Sequence, residues 1–123
     1  MIKDDTVYLG HMLDQARKVA GKVQGKTRAE FDADENLRLA LAHLVQTIGE
    51  AARRVSDTTK TASPEVPWRQ IMGMRHRIVH DYMNVDEDIL WAVATIHVPA
   101  LAAHLTTLMP PEPTVDEDGK EVP

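Results

Sequence analysis

The chain is predicted to be an all-α bundle of four main helices with one short helical piece and a kinked last helix. Two observations carry that prediction. Apolar residues recur at three- and four-residue steps through three long stretches, the spacing that puts them on one face of a helix. Strand-like alternation is nowhere sustained. At 123 residues the size suits one domain with a single core. Residues 1–109 hold the helical patterns, and 110–123 read as an acidic, disordered tail.

Asp4 and Asp5 precede a run with Leu9, Met12, Leu13, Ala16, Val19 and Ala20 on one face. This first helix ends near Gly21 or Gly25, with acids at its positive end and Arg17, Lys18 and Lys22 near its other end. Thr27 followed by Glu30 matches a capping box and starts the short piece at Arg28. From about Asp34 no proline interrupts the chain until after Val55, and Leu37, Leu41, Leu44, Ile48, Ala51 and Val55 mark the second long helix. Its Gly49 is weak in propensity but allows close approach of another helix.

Residues 56–67 (SDTTKTASPEVP) are polar with two prolines, so an ordered loop or linker is expected. Pro67 suits the first position of a third helix running to about His80. Asn84 breaks the pattern, and Val85 with Asp86 opens the fourth helix, driven by Ile89, Leu90, Val93, Ile96, Val98, Leu101, Leu105 and Leu108. Pro99 should kink it. The segment PPEPTVDEDGKEVP that follows has no core-forming residues.

Composition excludes several function classes. With no cysteine, disulfides, thiolate catalysis and zinc–thiolate sites are out. There is no Gly-rich phosphate loop and no serine hydrolase elbow. The N-terminal MIKDDTVYLGHM lacks a basic leader followed by an apolar run, and no apolar segment is expected to approach membrane-spanning length, so the expected location is cytoplasmic with no membrane partner. The net charge of −5 is uneven: residues 112–123 carry −4, whereas residues 53–80 carry a local +4 from Arg53, Arg54, Lys60, Arg69, Arg75 and Arg77 against Asp57 and Glu65. Local potential governs phosphate attraction, so an RNA or nucleotide partner is permitted.

Most of the potential chemistry lies in residues 67–84, PWRQIMGMRHRIVHDYMN. Trp68, Ile71, Met74, Ile78 and Tyr82 share one side of a helix, and Arg75 sits about 40° from Ile71 within that stripe. A guanidinium there is costly unless a partner or an anion meets it. Arg75 can hold charge that develops on phosphate oxygens, and the imidazole of His80 can take or give a proton near neutral pH. On a straight helix the two point about 140° apart, so they converge only if the helix unwinds near His80 or two chains pool residues. The competing reading is structural: Arg75 pairs with Asp81, Glu50 or a backbone carbonyl, and His80 is a polar helix-end residue. His76 and His80, four apart, have a zinc-chelating spacing with Asp81 as a third ligand, but the set is incomplete and no metal is expected. His11, His43, His97 and His104 read as polar-face or packing residues, and Trp68 and Trp91 as core anchors.

The string PWRQIMGMRHRIVHDYMNVD resembles the signature of the HepT-like subgroup of HEPN proteins: Arg, four residues, His, one residue, Tyr. Here those are Arg75, His80 and Tyr82. The similarity extends through IGEAARRVS, the VPW that opens the third helix and the LDQAR of the first. It covers nearly all the chain except the tail. The resemblance implies a HEPN-type bundle that forms a homodimer in which two copies of the motif line one cleft. It implies a metal-independent endoribonuclease without cofactors, the toxin of a type VII-like toxin–antitoxin pair. Its partner would be a minimal nucleotidyltransferase antitoxin that masks the toxin or adds AMP to the motif tyrosine. Carried over, Arg75 and His80 are catalytic and Tyr82 is the AMPylation site, with Arg53, Arg54, His76 and Arg77 as RNA-binding or site-supporting residues. His76 departs from the Asn usual after the arginine, which bears on the tuning of the site. A non-catalytic HEPN module that binds a partner or a nucleotide through the same basic cleft is the alternative. A structural helical adaptor, which would bind no RNA at low salt, is a third.

Overall fold

In a computed structural model, which describes residues 3–81, 84–110 and 114–122, the chain is an all-α bundle. Helix α1 spans Lys3–Val23 and α3 spans Glu35–Arg54; together they form the main helix pair. The α1 stripe is as expected: Leu9, Met12, Ala16 and Val19 are fully buried. The chain turns out of α1 through Gly25, whose φ of +72° suits a residue without a Cβ. Short helix α2 (Arg28–Ala33) starts with both bonds of the capping box, Glu30 N–H to Thr27 Oγ1 at 3.1 Å and Thr27 N–H to Glu30 Oε1 at 3.0 Å. Asp34 then caps α3, and Phe31 seals the end of the core.

Residues 56–67 hold more structure than a loop. Ser56 caps a one-turn helix α4 (Asp57–Ala62). Asp5, only 2% exposed, ties that turn to the start of α1. Its carboxylate accepts from Ser56 N–H at 2.8 Å, from Ser56 Oγ at 2.6 Å and from the Thr59 hydroxyl. Trp68 closes the segment, donating its indole N–H to Ser63 O at 3.0 Å.

The expected third helix is broken and shorter than its pattern implies. Pro67 is the capping residue, α5 spans Trp68–Met72, and α6 spans Met74–Ile78. Gly73 lies between them at φ −89°, ψ 3°. The cause lies in α3. Gly49 packs so closely on α5 that a Cβ there would stand 2.9 Å from Ile71 O. One turn on, the Arg53 guanidinium donates to Met72 O at 3.1 Å, taking up a carbonyl freed at the break. After Ile78 the backbone turns extended. Strand β1 (Val79–Asp81) pairs antiparallel with β2 (Asn84–Val85), closed by Asp86 N–H to Ile78 O.

The last helix runs unbroken over Glu87–Leu108: α7 (Glu87–Ala92), a π turn (Val93–His97) and α8 (Val98–Leu108). The disturbance expected at Pro99 takes the form of this π turn, in which Val98 N–H bonds the Val93 carbonyl five residues back. A proline ring crowds the carbonyl four residues before it, and the wider turn relieves that. The expectation of no apolar segment of membrane-spanning length does not hold here. Glu87–Leu108 has a window of mean hydropathy 1.5 and is long enough by composition. Its apolar residues Leu90, Val93, Ala94, Val98, Leu101 and Leu105 are buried in the bundle, which accounts for them as core. In the tail, β3 (Thr114–Val115) pairs with β4 (Glu121–Val122) around an Asp116–Lys120 turn.

Candidate active site

The break at Gly73 decides where the basic residues of α6 go. Residues two apart on a helix face different ways, and Arg75 and Arg77 line different cavities. Trp68, Ile71, Met74 and Ile78 are buried, as the stripe requires. Arg75, by contrast, is exposed rather than enclosed in that stripe. Because α6 is a separate short piece, the guanidinium leaves the core edge and borders a groove of about 320 Å³ between α3 and the α5–α6 break. His76, Arg53, Glu50 and Gln46 share the groove, over a floor of Val45, Gly49, Ile71 and Met74. A smaller hollow of about 170 Å³ lies against Arg75 as well, reaching His43, Ile78 and Val79.

Among the described side chains Arg75 forms no ion pair with Glu50, and the ion pairs there join Arg28 to Asp32 and Asp88, and Arg38 to Glu87; the side chain of Asp81, the other acid considered, lies outside those described. Glu50 instead accepts a long hydrogen bond from Gln46 at 3.3 Å. An exposed guanidinium beside a polar groove is able to receive an anion.

His80 belongs to β1, and the helical offset that separated it from Arg75 does not apply. Val79 has already left the helix at φ −102°, ψ 108°. The pairing Val79↔Val85 and Asp81↔Asn84 leaves His80 as an extra residue opposite none, a β-bulge. Such bulges re-aim side chains next to active sites. The side chains of His80 and Asp81 are not among those described, and Tyr82 lies outside the described residues.

The structure divides the remaining candidates. Arg53 and His76 join Arg75 in the groove. Arg54 does not; its guanidinium lies 5.8 Å over the ring of Tyr8, on the α1 side. Arg77 borders a separate cleft of about 380 Å³ against the π turn and α8. Among the described residues no group of three His, Asp or Glu side chains is placed to hold a metal ion. Arg53 and Glu50 were expected near Arg75; what the sequence did not announce is that His43 and Gln46 join them in one polar row beside it. Its signal was present as three- and four-residue steps alongside the apolar stripe of α3.

The family profile described as "Ribonuclease HepT-like" matches residues 12–108. A protein from Caldanaerobacter subterraneus subsp. tengcongensis named a "Putative RNase" is 27% identical over 111 residues, covering 90% of this chain and 99% of the relative. Another "Putative RNase", from Methanocaldococcus jannaschii, is 27% identical over 99 residues, 80% of this chain and 91% of the relative. A "Probable ribonuclease HepT" from Thermococcus cleftensis is 32% identical over 72 residues, 58% of this chain and 66% of the relative. No solved structure matches.

Proposed function

This chain belongs to the HepT-like ribonuclease family, and from that premise we propose that it is a metal-independent endoribonuclease serving as the toxin of a toxin–antitoxin pair. One observation carries the reading furthest. Arg75 stands open to solvent on a polar groove, and the helix that bears it ends at Ile78, so that His80 enters an extended bulge instead of continuing round the helix. An unwound backbone there is one of the two routes by which guanidinium and imidazole can converge, and it supports the reading.

In this mechanism the imidazole of His80 takes the proton of a ribose 2′-hydroxyl. The 2′-oxygen attacks the adjacent phosphorus, and the bond from phosphorus to the 5′-oxygen breaks. The 5′-oxygen leaves with a proton supplied by an imidazolium. The products are a 2′,3′-cyclic phosphate and a 5′-hydroxyl. Arg75 binds the phosphate oxygens, whose charge grows in the transition state. In a homodimer the two copies of His80 divide the roles of base and acid across one cleft. Its partner is a minimal nucleotidyltransferase antitoxin, which silences the toxin by masking it or by placing AMP on Tyr82, and the pair acts in the cytoplasm.

The test is RNA cleavage in EDTA by the wild type, Arg75→Ala and His80→Ala. Each variant should lose on the order of 10²–10³-fold in rate, and full activity in either removes that residue from the mechanism. Expression without the antitoxin should arrest growth, and His80→Ala should relieve the arrest. A His80→Ala protein that still arrests growth would favour the non-catalytic binding module.

A further inference from the structure

The cleft on the Arg77 side of α6 is separate from the groove that holds Arg75, yet the two adjoin. Val45, Ile71 and Met74 line both, so a single layer of side chains divides them. The cleft encloses about 380 Å³, within the range of small-ligand pockets. Its floor is apolar, with Ile48, Val93, Val98 and Leu101 behind the shared wall. Its polar groups sit at the rim. Arg77 and His97 are exposed there, and His104 is half-buried about two turns further along the same face. Glu65 is the single acid among the lining residues.

An apolar slot rimmed by a guanidinium and two imidazoles is complementary to a flat ring joined to an anion. A nucleotide has both parts: the base needs cover from water, and its phosphate needs a cation. Arg guanidinium planes also stack on unpaired bases. We infer that this cleft receives the base of the RNA nucleotide one step beyond the pair that flanks the cut, while its phosphate meets Arg77, so the strand crosses α6 from Arg75 to Arg77. This rests on the ribonuclease reading above and extends it with a base subsite.

The experiment uses two probes with the full-length protein. A fluorescein-labelled single-stranded 10-mer RNA with every 2′-oxygen methylated reports binding by anisotropy without being cut. An unmodified 10-mer and a dinucleotide report cleavage. The variants are Arg77→Ala, which removes the cation, and Ala100→Trp, which fills the cleft mouth from an exposed position outside the core. Loss of one stacked base should weaken 10-mer binding and raise its KM by about tenfold or more in both variants, with kcat of Ala100→Trp within about twofold of wild type. With Ala100→Trp, cleavage of the dinucleotide, too short to reach the cleft, should be unchanged. Unaltered 10-mer binding in both variants overturns the base subsite and leaves the catalytic reading intact. A wild type that neither binds nor cuts RNA brings down both. A change of sedimentation from dimer to monomer in either variant would show that a second copy occupies the cleft, and that too overturns the proposal.

Discussion

Asp5 shows how one side chain can be misread from its neighbours. Its place after Asp4 at the start of α1 suggests an acid facing the helix dipole. The fold buries it and surrounds it with the donors of Ser56 and Thr59. Burial pushes its carboxyl up, but the hydrogen bonds from Ser56 and Thr59 outweigh that and hold it below the usual carboxylate value. Asp5→Ala would leave those donors without their acceptor and should cost about 1–3 kcal/mol, read by urea unfolding at pH 7. Because the folded carboxyl is the stronger acid, the stabilisation is complete above the unfolded carboxyl's pKa of about 3.9 and fades as the pH falls through the lower folded value. The stability gap between wild type and Asp5→Ala should therefore hold from pH 7 to 5 and narrow below about 4. A gap independent of pH down to 2 would refute the ionised form of the contact. Arg75 is the converse case. Its residue type and place in the family string were legible, but its exposure was not, because the stripe assumed one unbroken helix.

Among elements, the long helices α1, α3 and Glu87–Leu108 were legible because each repeats its apolar face over several turns, enough to outweigh any single residue. The break at Gly73 was not. A lone glycine within a helical pattern is usually tolerated; here it becomes a joint because Gly49 and Arg53, both on α3, meet the carbonyls at the end of α5. Gly49→Ala would set a Cβ 2.9 Å from Ile71 O, a backbone atom that cannot swing aside. It should destabilise the protein by about 1–3 kcal/mol and lower RNA cleavage by displacing α5–α6, measured by denaturant unfolding and by initial rates. An Ala variant as stable and active as the wild type would show that the close approach is not needed. The β1–β2 pairing was equally hidden, since VHDYMNV offers too few residues for alternation to stand out. The π turn before Pro99 is a local answer to a clash that the sequence announced, in a form it did not specify.

Across the chain, charge is divided between a basic segment and an acidic tail, and the tail should compete with RNA for the basic segment. Deleting residues 112–123 removes a charge of −4. It should tighten RNA binding several-fold at 50 mM salt, and the difference should vanish near 0.5 M, where the screening length falls to roughly 4 Å. Anisotropy with the methylated 10-mer measures both; equal affinity at low salt would mean the tail does not oppose RNA. The sequence by itself determined the helical class, most of the core-facing residues and the family, because periodicity and a contiguous string are properties of neighbours along the chain; Ile96, expected on the apolar face of the last helix, is 63% exposed. Only the tertiary structure decided that the third helix stops early, that Arg53 serves the groove while Arg54 lies on Tyr8, and that Arg75 and Arg77 part to opposite sides of α6. Those outcomes depend on which carbonyl or ring another helix brings within reach, and contacts between residues far apart in the chain leave no periodic trace.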